Sequence, residues 1–120
     1  MTTTILIVDD HAGFRAQARA LLLAAGYDVV GEAQDGASVL EAVRALAPEV
    51  VLLDVQLPDT TGFEVARALH QAPEPPAVVL TSSREASDYG GRIEGSGARG
   101  FVPKADLSAW ALADILEAPA

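Results

Sequence analysis

The sequence predicts an α/β domain in which helices cover both faces of a five-stranded parallel sheet. Two observations lead there. Short apolar runs alternate with stretches of helical periodicity along the whole chain. Parallel neighbours need crossover connections, so repeated strand-helix alternation produces this layering. The runs also end alike, in chemically active side chains. Ile5-Leu6-Ile7-Val8 leads into Asp9-Asp10, Val50-Val51-Leu52-Leu53 into Asp54, and Val78-Val79-Leu80 into Thr81. Gly100-Phe101-Val102-Pro103 leads into Lys104, the only lysine. Strands in a parallel sheet bring their carboxyl ends to one rim, where open α/β sheets hold ligands. Three carboxylates, a hydroxyl and an ammonium there suit a divalent cation and a phosphoryl group.

The elements follow in order. After the first strand, Phe14, Ala18, Leu21 and Ala25 share one helical face with Arg15 and Arg19 away from it, and Gly26 supplies the stop. Residues 27–33 read as the second strand. Asp35 caps a helix that turns Val39, Ala42, Val43 and Leu46 inward and ends before Pro48. The Asp54 strand is followed by a loop and by a helix over about 62–71 with Val65, Ala66 and Leu69 as its core face. The stretch Pro73-Glu74-Pro75-Pro76 breaks that helix ahead of the fourth strand. Between residues 82 and 96 the apolar face is thin, formed by Ala86, Tyr89 and Ile93. Gly90, Gly91 and Gly95 there each cost a helix about 1 kcal/mol relative to alanine. A short or mobile helix is expected. Residues 105–118 read as the last helix, with Asp106 as cap. Its apolar arc is Leu107, Ala111, Leu112, Ile115 and Leu116, and Trp110 falls on the opposite side beside Asp114 and Glu117.

Composition narrows the function. The 120 residues fit one domain with a single core, read over 1–120, and no linker, repeat or composition shift divides them. Half are apolar, which argues against disorder despite a net charge of -9. That charge argues against direct contact with nucleic acid or an anionic membrane, since phosphate backbones demand basic patches. With no cysteine, disulfides and thiolate metal sites are unavailable, and a reducing cytosol fits. No apolar run approaches a membrane span, and Met-Thr-Thr-Thr lacks a basic leader region. A soluble cytoplasmic domain is the expectation.

ILIVDDH, VVGEAQDG, PEVVLLDVQLPDTTGFEVARAL, a strand ending in Thr81, and GARGFVPKADL stand in this order. In that arrangement the chain resembles the receiver domain of two-component response regulators, nearest in wording to NarL/FixJ-type receivers. The resemblance implies a flavodoxin-like fold with strand order 2-1-3-4-5. It implies Asp54 as phosphoacceptor and magnesium held by Asp10, Asp54 and the Gln56 backbone carbonyl, with Asp9 acting directly or through water. Lys104 would contact the phosphoryl group and the Thr81 hydroxyl would hydrogen-bond to it. Phe101 stands where the family has an aromatic switch, a role compatible with ordinary core packing; its phenylalanine carries no hydroxyl. Gln56 and Ser83 hold positions that tune phosphoryl lifetime. Pro103 precedes the lysine here, where many receivers have proline after it.

The implied partners are a sensor histidine kinase or phosphotransfer protein. The surface of the fourth helix, fifth strand and fifth helix is a common contact site for partners or a second receiver. Trp110 either anchors such a contact or lies over the fourth helix. Such a domain promotes its own phosphorylation and dephosphorylation and is not a turnover enzyme. NarL/FixJ-type receivers usually precede a helix-turn-helix output domain, so a chain ending near its fifth helix reads as a stand-alone or an excised receiver.

Other readings fit less well. A flavin carrier of this fold would need a hydroxyl-rich phosphate loop where Asp9-Asp10 stand. An aspartyl-phosphate hydrolase would carry D-x-D where Asp54-Val55-Gln56 stands. A receiver-like module that is never phosphorylated would not need the complete acceptor set. The Gly95–Gly100 segment GSGARG matches G-x-G-x-x-G but precedes a strand, where a dinucleotide site needs it after one, so it reads as a turn. His11, beside the acidic pair, could suggest a metal ligand or a phosphohistidine, but reads better as an exposed residue at a helix start.

Overall fold

The computed structural model describes residues 2–117. Strands β1 (Thr4–Val8), β2 (Asp28–Ala33), β3 (Val50–Asp54), β4 (Ala77–Ser82) and β5 (Gly100–Pro103) form one parallel sheet in the order β2-β1-β3-β4-β5. The flavodoxin-like order implied by the resemblance is the observed one. The three inner strands, β1, β3 and β4, are buried on both faces, which is why their sequences are continuous apolar runs rather than alternating ones.

Because successive strand residues point to opposite faces, each run feeds two cores. Leu6, Val8, Val51, Leu53 and Leu80 pack with Val39 of α2 (Gly36–Leu46) and with Phe63, Ala66 and Leu69 of α3 (Gly62–His70). Ile5, Ile7, Leu52 and Val79 pack on the other face, with Ala18 and Leu22 of α1 (Ala12–Ala24) and Leu112 of α5 (Ala109–Glu117). The Asp35 carboxylate caps α2 as expected, accepting from the Ser38 N–H at 2.8 Å.

Several local expectations are corrected. Ala25 is the exposed C-cap of α1 and Leu22 takes the inward place, because the helix ends a residue before Ala25. Leu46, expected inward, is 42% exposed as the last residue of α2, where Ala47 turns into the left-handed region. The thin segment before β5 does hold a short helix, as expected: a 3-10 turn (Ala86–Asp88) and the single-turn α4 (Arg92–Gly95), with Gly90 at φ +57° between them. A left-handed residue cannot continue a helix, so the glycines divide the segment. Residues 104–106 form a 3-10 turn, and α5 starts only at Ala109. Its cap is Ser108, whose Oγ accepts from the Ala111 N–H at 3.0 Å, not Asp106. Ala118, the last residue of the expected helix, lies outside the described residues.

Candidate functional site

Strand register assembles the rim. Val8 pairs with Leu53, so Asp9 and Asp54 follow side by side, and Asp54 itself pairs with Thr81. Thr81 pairs with Val102, two residues before Lys104. The carboxylates of Asp9, Asp10 and Asp54 offer oxygens within 4.8 Å of one another, with a His11 ring nitrogen in the same group. A pocket of about 150 Å³ opens above them, lined among others by Asp10, Asp54, Gln56, Ser83 and Lys104. Thr81 is buried and does not line that pocket. Phe101 is half-buried one strand further out, packed edge-on to the Tyr89 ring with centroids 5.9 Å apart.

Lys104 closes the cluster. Its Nζ lies 2.7 Å from Asp9 Oδ2 and 3.3 Å from Asp54 Oδ2, and 4.7 Å above the Phe14 ring. Burial works against the ammonium, but its contact with Asp9 and the charges of Asp54 and Asp9 outweigh this and hold its pKa above the ordinary lysine value. Asp54 shows the opposite balance for an acid. Burial, then the Asp9 charge, push its carboxyl above the usual carboxylate range, while Lys104 and the Gln56 N–H only partly offset them.

A raised carboxyl pKa has a definite sign in stability. The stabilisation is full below the unfolded value of 3.8 and is lost as pH rises through the higher folded value. Without metal near neutral pH, Asp54 is therefore a liability. Asp54→Asn is expected to melt above wild type in chelator at pH 7, by about 1 kcal/mol, with the gap closing toward about pH 4. Thermal melts across that range provide the check, and a variant that melts below wild type at pH 7 would contradict it.

The donor set fits a hard divalent cation. The oxygens brought together are the carboxylate oxygens of Asp9, Asp10 and Asp54, as magnesium prefers, with the exposed His11 nitrogen beside them. Among the described residues, two buried side-chain oxygens also lack a hydrogen-bond partner, Asp9 Oδ2 and Thr81 Oγ1. Asp9 Oδ2 faces the Lys104 ammonium at close range, but as a charge contact outside hydrogen-bond geometry. Both oxygens are free to accept from, donate to or coordinate a group brought into the site.

Comparison with known proteins decides the family. The profile for the response regulator receiver domain matches residues 5–115. The chain belongs to that family. It is 35% identical over 104 residues to the Bordetella pertussis transcription regulator BvgA, covering 87% of this chain and 50% of that protein. It is 39% identical over 101 residues to the transcriptional regulatory protein NarL of Mycobacterium tuberculosis, covering 83% and 47%. The chain thus spans about half the length of the curated relatives it matches. The solved receiver domain of Mycobacterium tuberculosis NarL superposes with a TM-score of 0.84 at 33% identity, over 98% of each chain. CheY4 of Vibrio cholerae, at 24% identity and a TM-score of 0.83 over 98% of each chain, shares the fold. The NarL-type receiver reading stands.

Two features of the receiver go beyond the sequence reading. His11, placed at the helix start as expected, also sets its Nδ1 3.1 Å from Asp10 Oδ1 and 3.3 Å from Asp9 Oδ1. Arg15, expected to face away from the core, is largely covered. Its Nη1 donates to the Asp9 backbone carbonyl at 2.6 Å and its Nε to Glu32 Oε1 at 3.0 Å. The sequence signal available was the i, i+4 spacing of Arg15 and Arg19, which lets both arginines reach one glutamate.

Proposed function

We propose that this receiver is a phosphorylation switch that takes a phosphoryl group on Asp54 from a histidine kinase or phosphotransfer protein. The carrying observation is that the Lys104 ammonium sits against both Asp9 and Asp54, with Asp54 and Lys104 lining an open pocket. An Asp54 carboxylate oxygen attacks phosphorus, the bond to the donor nitrogen or oxygen breaks, and that atom leaves with the electron pair. The product is an acyl phosphate, a form of covalent catalysis. Asp10, Asp54 and the Gln56 carbonyl, with Asp9, would hold magnesium, which when bound supplies positive charge against the crowded oxygens. Lys104, already 3.3 Å from Asp54 Oδ2, is placed to pair with the incoming phosphoryl oxygens. The unpartnered Thr81 hydroxyl is the donor that would turn to it.

Movement of Thr81 toward the phosphoryl group frees space at the half-buried Phe101, which would turn inward and carry the change outward to α4, β5 and α5. Trp110 is 87% exposed on α5, in a shallow surface shared with Ala113, Asp114 and Glu117. It does not lie over α4, so the interface reading of this residue is the one kept. A partner or a second receiver would cover it. Cytoplasmic placement follows from this partnership, and no described helix is long and apolar enough to cross a membrane.

Intact mass after incubation with magnesium and acetyl phosphate tests the proposal. One added phosphoryl group per chain is expected, and none in excess chelator. A mass unchanged by phosphodonor and by a phosphorylated kinase alike would leave the interaction-module reading in its place.

A further inference from the structure

We infer that Arg15 is a positioning residue for the cation site, acting through the peptide that joins Asp9 to Asp10. This rests on the cation-dependent reading above. The guanidinium bridges two elements at once. Nη1 donates to the Asp9 carbonyl at 2.6 Å and Nε to Glu32 Oε1 at 3.0 Å on the edge strand β2. Glu32 is itself held by Arg19, whose Nη1 donates to Oε2 at 2.9 Å. Arg15 is thereby held between a carboxylate that is fixed on both oxygens and the backbone of the acidic loop.

The consequence lies in how that loop is fixed. The Asp9 N–H donates to the Ala33 carbonyl at 3.0 Å, and Asp9 Oδ1 accepts from the His11 N–H at 2.8 Å. Both bonds hold Asp9. The second closes an Asx turn around the peptide leading to Asp10 but does not engage its carbonyl oxygen, which is the one Arg15 takes. Turning the plane of that peptide re-aims the Cα–Cβ bond of Asp10, a carboxylate that is 38% exposed and, among the described residues, paired with the exposed His11 ring alone. Partners of this outer kind commonly change metal affinity by about 10- to 100-fold when removed. Only a planar, forked donor reaches both acceptors; a lysine ammonium on the same helix is a single point.

Charge alone predicts the reverse of positioning. Arg15 is a cation near an acidic site, so deleting its charge should tighten magnesium binding if electrostatics were its whole effect. If it positions Asp10, deletion should weaken binding. The test is magnesium titration by calorimetry of the metal-free chain, with melting temperatures measured alongside. Arg15→Gln is expected to lose about tenfold in affinity. Arg15→Lys should also weaken it, although its charge is kept. Arg19→Gln removes the other half of the same ion-pair group without touching Asp9, and its magnesium affinity should stay at the wild-type value or rise. Wild-type affinity in Arg15→Gln, tighter binding, or an equal loss in Arg19→Gln would each overturn the positioning role. A wild-type chain that binds no magnesium would overturn the cation reading itself, and this role with it.

Discussion

Asp54→Asn is expected to gain no phosphoryl group under conditions in which the wild-type receiver gains one, and Lys104→Ala to gain it about a hundredfold more slowly. The asparagine keeps the shape of the strand end but offers no anionic oxygen to attack phosphorus, so the loss should be complete. Lys104 contributes differently. Its ammonium reaches both Asp54 and Asp9, and phosphoryl transfer depends on positioning and charge neutralisation more than on covalent help from the protein. Removing it leaves the crowded oxygens with one cation fewer. It also leaves Asp9, which has no solvent exposure, beside Asp54 without a counter-charge, so the metal-free variant should melt well below wild type. Saturating magnesium should restore part of that stability, because it binds only the folded site. Time courses of intact mass at saturating magnesium separate slow chemistry from a partly unfolded sample. Labelling of Asp54→Asn at the wild-type level would move the acceptor elsewhere, and an unchanged Lys104→Ala rate would remove the ammonium from the reaction.

The rim is legible in the sequence because its signals are local. An apolar run in a central strand, followed by a carboxylate, identifies both the strand and the end at which its chemistry sits. Asp9, Asp10, Asp54, Thr81 and Lys104 are therefore recognisable from the amino-acid order alone, and the register places them together. Strand order is different. It follows from resemblance, since alternation of strand and helix constrains handedness and layering but not which strand lies beside which.

What escapes the sequence depends on partners remote in the chain or on turn geometry. Arg15 lies off the helical face that periodicity assigns to the core, yet Glu32, 17 residues on, and the Asp9 carbonyl draw it inward. No hydropathy pattern carries that information. Tyr89 reads in the sequence only as part of a weak apolar face. Its ring in fact stands between Phe63 and Phe101, at 5.2 Å and 5.9 Å, with its hydroxyl 2.6 Å from the Ser82 Oγ. The cap of α5 is misplaced by sequence because Asp106 and Ser108 are both good caps in isolation, and the 3-10 turn after β5 delays the helix to the second.

Gly62→Ala is expected to be among the most damaging single-methyl additions in the chain, costing about 3 kcal/mol and displacing the acceptor as well. The loop after β3 closes tightly on itself. The Gly62 N–H donates to the Val55 carbonyl at 2.6 Å, Leu57 donates to the Thr60 carbonyl at 3.2 Å, and Gln56 bridges to Thr61. Asp59 anchors the far side by accepting from the Gly36 and Ala37 N–H groups, the first of which chiefly holds its carboxyl below the usual range. A Cβ on Gly62 would collide with the Asp54 carbonyl oxygen and stand 2.9 Å from the Val55 Cα. These are backbone atoms in a buried strand, not the ends of flexible side chains, so no rotamer change relieves the contact. Relief must come from shifting β3 or α3, and the first atoms to move belong to Asp54. The glycine is required for space rather than for its backbone angles, since its φ is not positive. Gly95→Ala is the matched control: its Cβ meets nothing within 4 Å, and an alanine in α4 should be neutral or stabilising by up to about 1 kcal/mol. Denaturant melts of the two variants, paired with phosphorylation rates measured below both midpoints, should separate them on both axes. A Gly62→Ala chain that unfolds with the wild type and labels at the wild-type rate would show that the loop yields where this packing says it cannot.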